Sequence, residues 1–297
     1  MTRIALNARI CTVVNGPVPK GRPLIKGAVM KRIRSWSLTG LLVRAALLQP
    51  GALPAEPVAV RHTEGTARGF LVLRTIEGKT LAAGDLIQVV QGDRLVSHLI
   101  FHFKDGSVDD ETIVFSQHLN FRLLSDHHVQ KGPSFPHPMD VLIDASIGQV
   151  TVRSTDGGKD KVETDHLDLP PDLANGLLPT LLKNLRTDAA ETKVSYVAAT
   201  PKPRLVKLAI RPQGEETFWA AGARHRATRY DVKVELGGLT GVVAPLLGKQ
   251  PEDIHVWILG GKAPEFVRME GQLYQGGPVW TIELTSPVWQ RSQHSGK

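Results

Sequence analysis

Cysteine is almost absent from this chain of 297 residues, and the single cysteine, Cys11, stands close to the beginning. The remaining residues can therefore form no disulfide with one another, and they offer no thiolate as a nucleophile or metal ligand. A chain cleaved after residue 55 would also lack the cysteine that carries the lipid of a bacterial lipoprotein.

Acidic residues are missing from the first 55 positions, which contain nine Lys or Arg. The formal charge of +7 and the pI near 9.6 are therefore properties of this leader. From Glu56 onward, 27 basic residues stand against 29 acidic residues. Nucleic-acid binding needs clustered cations on the folded surface, so we expect no nucleic-acid partner.

Long apolar runs are also missing. The stretch 38–48 contains Arg44 and is shorter than the roughly 20 apolar residues that span a bilayer. We therefore expect no stable membrane anchor. The stretch follows the cations Lys31, Arg32 and Arg34 and precedes a segment with small residues and prolines, an order typical of a secretory signal.

This pattern predicts three regions and a location. We expect 1–29 to be an upstream extension or disordered, 30–55 to be a signal peptide, and 56–297 to form one β-rich domain. The protein would then be periplasmic or secreted. An organelle transit peptide and a basic disordered arm are the alternative interpretations of the leader.

Period-two alternation dominates the rest of the chain. Apolar residues from Tyr230 to Leu236 alternate with charged residues from Arg229 to Glu235, which is typical of a half-buried antiparallel strand. Glycine-containing turns separate many such runs. We predict a mainly β fold: a strongly curved antiparallel sheet, half-barrel or barrel-like, of about a dozen strands.

One segment departs from this alternation. Leucines from Leu173 to Leu185 are spaced as on one face of a helix, and Pro170, Pro171 and Asp172 suit its start. Pro179 falls inside the run and should kink it. We predict one short kinked helical segment near 171–187, between two halves of the sheet.

Histidines and acids flank the predicted hairpin at Asp105 and Gly106. A two-residue turn would place His102 opposite Asp109 and gather four N and O ligands for zinc or another divalent ion on one face. We favour an ordinary polar outer face with His–carboxylate pairs and therefore expect no metal site, with metal binding as the alternative. This weak candidate metal site comprises His98, His102, Asp109 and Glu111.

Aromatic residues make up only 5% of the chain, and five of them fall in the later strands. If their side chains share a face, they could line an apolar groove for a lipid or other apolar ligand. Their alternative role is the hydrophobic core. These candidate ligand-binding residues are Trp219, Tyr230, Trp257, Phe266 and Trp280.

Three runs near the C-terminal end carry a resemblance to a known family. The runs 227–232, 255–258 and 263–270, with Trp257 in the second and Pro264 leading the third, resemble the end of an uncharacterised family of exported bacterial proteins. Their strongly curved antiparallel sheet looks like that of the lipoprotein-localisation factors. The resemblance implies a half-barrel with a helix near its concave side and an apolar ligand. It supplies no catalytic residue.

Enzyme signatures are scarce. Ser146 lacks the first glycine of a nucleophile elbow, and the glycine pairs lie between strands instead of before a helix. We therefore expect no catalytic residue and no cofactor. The sequence favours an exported, non-enzymatic protein that binds a hydrophobic or envelope-derived ligand. The alternatives are a metal-dependent hydrolase using the His/carboxylate cluster and an envelope protein that binds a partner.

Overall fold

The computed structural model describes residues 57–156, 159–199, 202–220, 223–235 and 251–285. The predicted extension 1–29 and signal peptide 30–55 lie outside the described residues. Within them the chain forms fourteen strands and one helix: β1 Ala67–Thr75, β2 Thr80–Gln91, β3 Arg94–Phe103, β4 Val108–Ser116, β5 Arg122–Lys131, β6 Met139–Asp144, β7 Gln149–Asp156, β8 Lys159–His166, α1 Leu178–Leu182, β9 Thr192–Ala198, β10 Arg204–Ala220, β11 Ala223–Glu235, β12 Ile254–Leu259, β13 Glu265–Gln272 and β14 Val279–Leu284.

All fourteen described strands belong to one antiparallel sheet. Their order is β8-β7-β6-β5-β4-β3-β2-β1-β14-β13-β12-β11-β10-β9. Most neighbours are consecutive in the chain, as in a meander, but β1 also pairs with β14. Strands β8 and β9 are the two edges, so the sheet is not closed. The prediction of a mainly antiparallel β fold is confirmed.

The alternation of side chains gives the sheet a buried inner face and a more exposed outer face. In β3, Leu95, Leu99 and Phe101 are buried, whereas His98 and His102 lie on the other side. Tyr230 and Val232 are likewise buried in β11. Residues i and i+2 share a face of a strand, so the inner rows of successive strands merge into one hydrophobic cluster.

The sheet is strongly curved, because distant strands meet the same short segment. Asn175 hydrogen-bonds to Val197 of β9, while its neighbour Gly176 is so close to Ile113 of β4 that a Cβ on Gly176 would lie 2.4 Å from Ile113 Cγ2. Strands β4 and β9 stand nine positions apart in the sheet, which would be about 43 Å if the sheet were flat. The sheet therefore bends until its inner face surrounds this segment.

That segment belongs to residues 167–191, here called the connector, which join the edge strands β8 and β9. The connector is buried continuously from Asp172 to Asn184. Its helix is only the five residues of α1, all buried, within the predicted helical stretch 171–187. Pro179 lies in the first turn of α1, where a proline needs no hydrogen-bonding N–H, and therefore does not kink a longer helix.

In the part of the chain that the structure describes, no helix is long and apolar enough to cross a membrane.

Candidate functional site

A cleft of about 520 Å³ opens on the inner side of the sheet, within the size range of small-molecule sites. Three parts of the chain form it: the segment before β1, the end of the connector, and strands β11 and β12 with the turn after β12. We call it the mouth cleft. It is lined by Arg61, His62, Leu182, Lys183, Leu185, Arg186, Thr187, Asp188, Thr228, Tyr230, Ile258, Gly260, Gly261 and Pro264.

Asn184 holds two walls of the mouth cleft together. Its Oδ1 accepts hydrogen bonds from the backbone N–H groups of Arg61 and His62, over 2.8 and 2.7 Å. Its Nδ2 donates to the carbonyl oxygen of Thr180 in α1 over 2.9 Å. One buried amide therefore fixes the segment before β1 against the connector and determines where the Arg61 side chain begins.

The mouth cleft has more cationic than acidic residues in its lining. Lys183 forms an almost fully buried ion pair with Glu64, and Arg186 donates to both carboxylate oxygens of Asp188, which holds the Asp188 pKa below its ordinary value. These two pairs are close to neutral. Arg61, whose guanidinium donates to the carbonyl oxygen of Leu185 over 3.2 Å, adds positive charge at the rim.

Tyr230 connects the charged rim with the hydrophobic core. Its side chain is buried, and burial raises the pKa of its phenol, while the positive charge of Arg61 acts to lower it. Leu182, Leu185, Ile258 and Pro264 supply apolar surface beside it. The cleft thus places a cation next to apolar walls, an arrangement suited to a ligand with an anionic end and an apolar body.

Of the five aromatic residues predicted to line a groove, the four whose side chains the structure describes do not gather in one place. Tyr230 borders the mouth cleft, whereas Phe266 is fully buried in the core. Trp280 packs against Phe103 and Phe135, with ring centroids 5.6 and 6.4 Å apart. The side chain of Trp219 lies outside the described residues.

Trp257 lies on the outer face. Arg229 and Arg268 lie 5.9 and 5.3 Å from its ring centroid, within cation–π range. Its indole N–H donates to Glu216 Oε2 over 2.7 Å. Because β12 residues alternate between faces, Trp257 cannot share a groove with Val256 and Ile258 on the inner side.

The register that the sequence suggested for the candidate metal site is wrong. Phe103 N–H donates to the Ser107 carbonyl oxygen, and Gly106 has a φ of 86°, so the hairpin loop has three residues and a bulge. This arrangement places His102 opposite Val108, and Phe101 opposite Asp109. A shift of one residue reverses the face of every side chain.

The shift separates the four proposed ligands onto two faces. His98 and His102 lie on the outer side, where His98 Nε2 is 2.8 Å from Asp110 Oδ1, whereas Asp109 and Glu111 are buried on the inner side. Among the described residues, no group of three or more His, Cys, Asp or Glu is placed to hold a metal ion. The outer polar pairing that the sequence offered as the alternative is present for His98.

A different His–carboxylate pair is buried on the inner face. His128 of β5 lies with Nε2 2.8 Å from Asp109 Oδ1, and both side chains are less than a tenth exposed. Glu111 is directly opposite His128 across the β4–β5 pair, and Gly176 of the connector covers it. The connector thus closes over these groups, so their position favours a role in fixing the interior.

Ser195, Lys207 and Asp172 form a second polar cluster, where the connector meets β9 and β10. Ser195 Oγ donates to Asp172 Oδ1 over 2.9 Å, and Lys207 Nζ donates to Ser195 Oγ and Asp172 Oδ2 over 2.7 and 3.1 Å. Asp172 thus binds both Ser195 of β9 and Lys207 of β10, so the cluster anchors the connector to these two strands.

Sequence reasoning missed Arg61, Lys183 and Asn184, which shape the mouth cleft. They belong to segments more than a hundred positions apart, and no local pattern marks their approach. The buried Asp109 did carry a signal, because it shares the alternating row of Ile113 and Phe115. Residues of one row share a face, so the inner placement of Asp109 could have been read from that row.

Comparison with known proteins places the chain in no family. No family model and no curated protein matches the chain. The resemblance to lipoprotein-localisation factors therefore stays a prediction. Among solved structures, the chain is similar to a crystal structure of a beta-barrel-like protein of the domain of unknown function DUF1849 from Brucella abortus, with 8% identity, a TM-score of 0.41, and coverage of 75% of this chain and 97% of that one.

Proposed function

We propose that this protein is an exported, non-enzymatic binding protein whose ligand is an amphiphilic anion held in the mouth cleft. The observation that carries the proposal is the cleft itself: about 520 Å³ with a mainly polar lining that includes the cation Arg61 and an apolar part formed by Leu182, Leu185, Ile258 and Pro264. The leader 30–55, read as a secretory signal, supports the assignment to the periplasm or the exterior. A lipid-derived or other envelope-derived molecule has the required chemistry.

Binding would combine two physical terms. The apolar part of the ligand would leave water beside Leu185, Ile258 and Pro264, a gain of roughly 25 cal/mol per Å² buried. The anionic end would accept charge-assisted hydrogen bonds from Arg61, which are about twice as strong as neutral ones. Asn184 would hold the segment carrying Arg61 in place before binding, so little ordering entropy would be lost.

A fluorescent probe with apolar rings and a sulfonate, 1-anilinonaphthalene-8-sulfonate, tests the site directly. Arg61→Glu should raise its dissociation constant roughly tenfold or more, since a charge-assisted hydrogen bond contributes about 1.5–3 kcal/mol. Thr228→Phe should also weaken binding, because it fills the cleft from β11. Arg94→Glu makes the same charge change at an exposed site and should leave the affinity unchanged. Equal affinities in all four proteins would refute the mouth cleft as the binding site.

Native mass spectrometry of the protein purified from its own cells tests the natural ligand. We expect a retained mass that is lost in Thr228→Phe and kept in Arg94→Glu. The same spectrum reports the N-terminus of the purified protein. A start near residue 56 would support export, and a chain still beginning at Met1 would contradict cleavage of the leader. A protein from which no ligand is recovered, and which does not bind the probe, would refute the proposal.

A further inference from the structure

The two edge strands of the sheet, β9 and β8, differ in whether another described segment covers them. The connector covers the β9 edge: Ala174 N–H donates to the Ser195 carbonyl oxygen over 2.9 Å, and Asn175 bonds both backbone groups of Val197. Strand β8 pairs with β7, and no other described segment pairs with it. An edge strand directs every second residue's N–H and C=O away from its neighbour, so β8 offers a row of backbone groups for a further strand.

Most side chains of β8 are exposed, with Glu163 and Asp165 half-buried, and the charges along the strand follow a simple order. Along one face stand Lys159, Lys161, Glu163 and Asp165, that is, two cations followed by two acids. The other face carries Val162, which is 61% exposed. Charged residues usually protect an edge from pairing, because most partners would bring like charges together. The order of charges on β8, however, brings opposite charges together with one particular partner.

That partner is β8 itself, turned to run antiparallel. When Val162 lies opposite Val162 of a second copy, Lys161 faces Glu163 of that copy and Lys159 faces its Asp165. The two-fold axis repeats both pairs, so four opposite-charge pairs form on one face. Directly opposite residues on antiparallel strands have side chains close enough to interact.

Neighbouring registers do not have this property. An axis through Glu163 places two glutamates opposite each other, and an axis through Lys161 places two lysines opposite each other. Like charges directly opposite are destabilising. Each of these two registers keeps two opposite-charge pairs, Lys161–Asp165 or Lys159–Glu163, beside its like-charge pair. The register about Val162 has four opposite-charge pairs and no like-charge pair, so the sequence of β8 favours that register.

We propose that β8 is a self-association edge, at which two copies of this chain pair antiparallel about Val162 and join their sheets into one. The contact is a single strand pair with exposed charges, so it belongs with small, transient interfaces. Screening by salt should weaken it, because its charge pairs face solvent. The proposal does not depend on the ligand site.

Disulfide trapping tests the register. In a Cys11→Ser background, Val162→Cys places the new thiols on residues whose Cα atoms would be about 5.5 Å apart, within the range that a disulfide bridges. Thr164→Cys is the matched control on the same strand and face, since its two copies would be four residue steps, roughly 13 Å, apart. Under limited oxidation we expect Val162→Cys to form covalent dimers at least about tenfold faster than Thr164→Cys. Equal rates would overturn the proposed register.

Charge exchange tests the chemistry without cysteine. Sedimentation velocity of the full chain over a concentration series should show a dimer that dissociates as salt is raised. Lys161→Glu should weaken dimerisation at least about tenfold, because it brings acids opposite one another at two places. The double variant Lys161→Glu with Glu163→Lys should restore it.

Lys79→Glu makes the same charge change in the exposed β1–β2 turn and should leave dimerisation unchanged. A wild-type chain that stays monomeric up to about 1 mM would refute the proposal. So would a dimer that Lys161→Glu leaves intact, because its interface would then lie elsewhere.

Discussion

Asn175 and Val197 exchange two hydrogen bonds: Val197 N–H donates to Asn175 Oδ1 over 2.8 Å, and Asn175 Nδ2 donates to the Val197 carbonyl oxygen over 3.0 Å. The side-chain amide of Asn175 thus binds the N–H and the C=O of Val197, the two groups that a neighbouring strand would bind inside a sheet. Both residues are buried, so water does not replace these bonds. The β9 edge is satisfied by the connector at this point, which ties the connector to the sheet.

Asn175→Ala should therefore destabilise the protein by about 2–4 kcal/mol, because it leaves a buried N–H and a buried C=O of Val197 without partners. Urea unfolding followed by circular dichroism measures the loss as a lower midpoint. Gln91→Ala, at an exposed position, is the control and should change stability by less than about 0.5 kcal/mol. Equal midpoints for Asn175→Ala and the wild type would show that the amide does not hold the edge.

Gly176→Ala should destabilise the protein for two reasons, a positive φ and a steric clash. Gly176 has a φ of 64°, and an added Cβ would lie 2.4 Å from Ile113 Cγ2. Gly92 has nearly the same φ, 66°, but nothing within 4 Å of its would-be Cβ, so Gly92→Ala carries only the backbone cost. Unfolding free energies should place Gly176→Ala about 1–3 kcal/mol below Gly92→Ala. If the two variants lost similar unfolding free energies, the connector would be able to move away from Ile113 with little loss of stability.

Lys183→Met should cost about 3–5 kcal/mol, because it leaves the buried Glu64 carboxylate without its ammonium partner. Adding Glu64→Gln removes the remaining charge and should bring the double variant to within about 2 kcal/mol of the wild type. The exposed pair Arg68–Asp85 provides the comparison, since Arg68→Met should cost less than about 1 kcal/mol. Thermal and urea unfolding of Lys183→Met, Glu64→Gln, the double variant and Arg68→Met measure this cycle. Additive costs at Lys183 and Glu64 would contradict their coupling.

The ionisation of Tyr230 should respond to Arg61. Burial raises the pKa of Tyr230 above its ordinary value of 10.0, and Arg61 lowers it. A raised folded pKa contributes stability that is complete below the unfolded pKa and is lost as pH rises through the folded pKa. Ultraviolet titration of phenolate, with Tyr230→Phe as reference, should show the Tyr230 step moving to higher pH in Arg61→Gln.

Tyr274 is the internal control for that titration. Its pKa is also raised by burial, with no contribution from Arg61. Its step should therefore keep its position in Arg61→Gln. If both tyrosine steps shifted together, a general change of the fold would explain the result better than a local charge at the mouth cleft.

The strands were predictable because their alternation is local. Tyr230 and Val232 were expected on one face of a strand and lie on the inner face of β11, with Arg229 on the other side. The hairpin at Asp105 and Gly106 was placed correctly, but its loop is one residue longer than expected. A glycine with positive φ serves both loop types, so the sequence leaves the register open. The extra loop residue shifts the β3–β4 register and so separates the residues of the candidate metal site.

The connector was harder to predict for a different physical reason. Leu173, Leu177 and Leu181 are spaced as on a helix face, yet α1 covers only Leu178–Leu182. Residues 172–184 are buried throughout, so the leucines there do not alternate with solvent-facing residues and carry no reliable helical period. The mouth cleft depends on this enclosed path, and only the three-dimensional fold brings Arg61 to Tyr230.

The position of β1 has a consequence for how the protein is made. Leu71 pairs with Gly84 on one side and with Leu284 on the other, so a growing polypeptide completes this strand's surroundings only when β14 emerges. At about 5–20 residues per second, translation takes roughly 10–40 s to cover that distance. During that interval the backbone groups of β1 that will pair with β14 have no partner strand and can bind another exposed strand. The last described strand to leave the ribosome is thus the one that pairs with the first described strand.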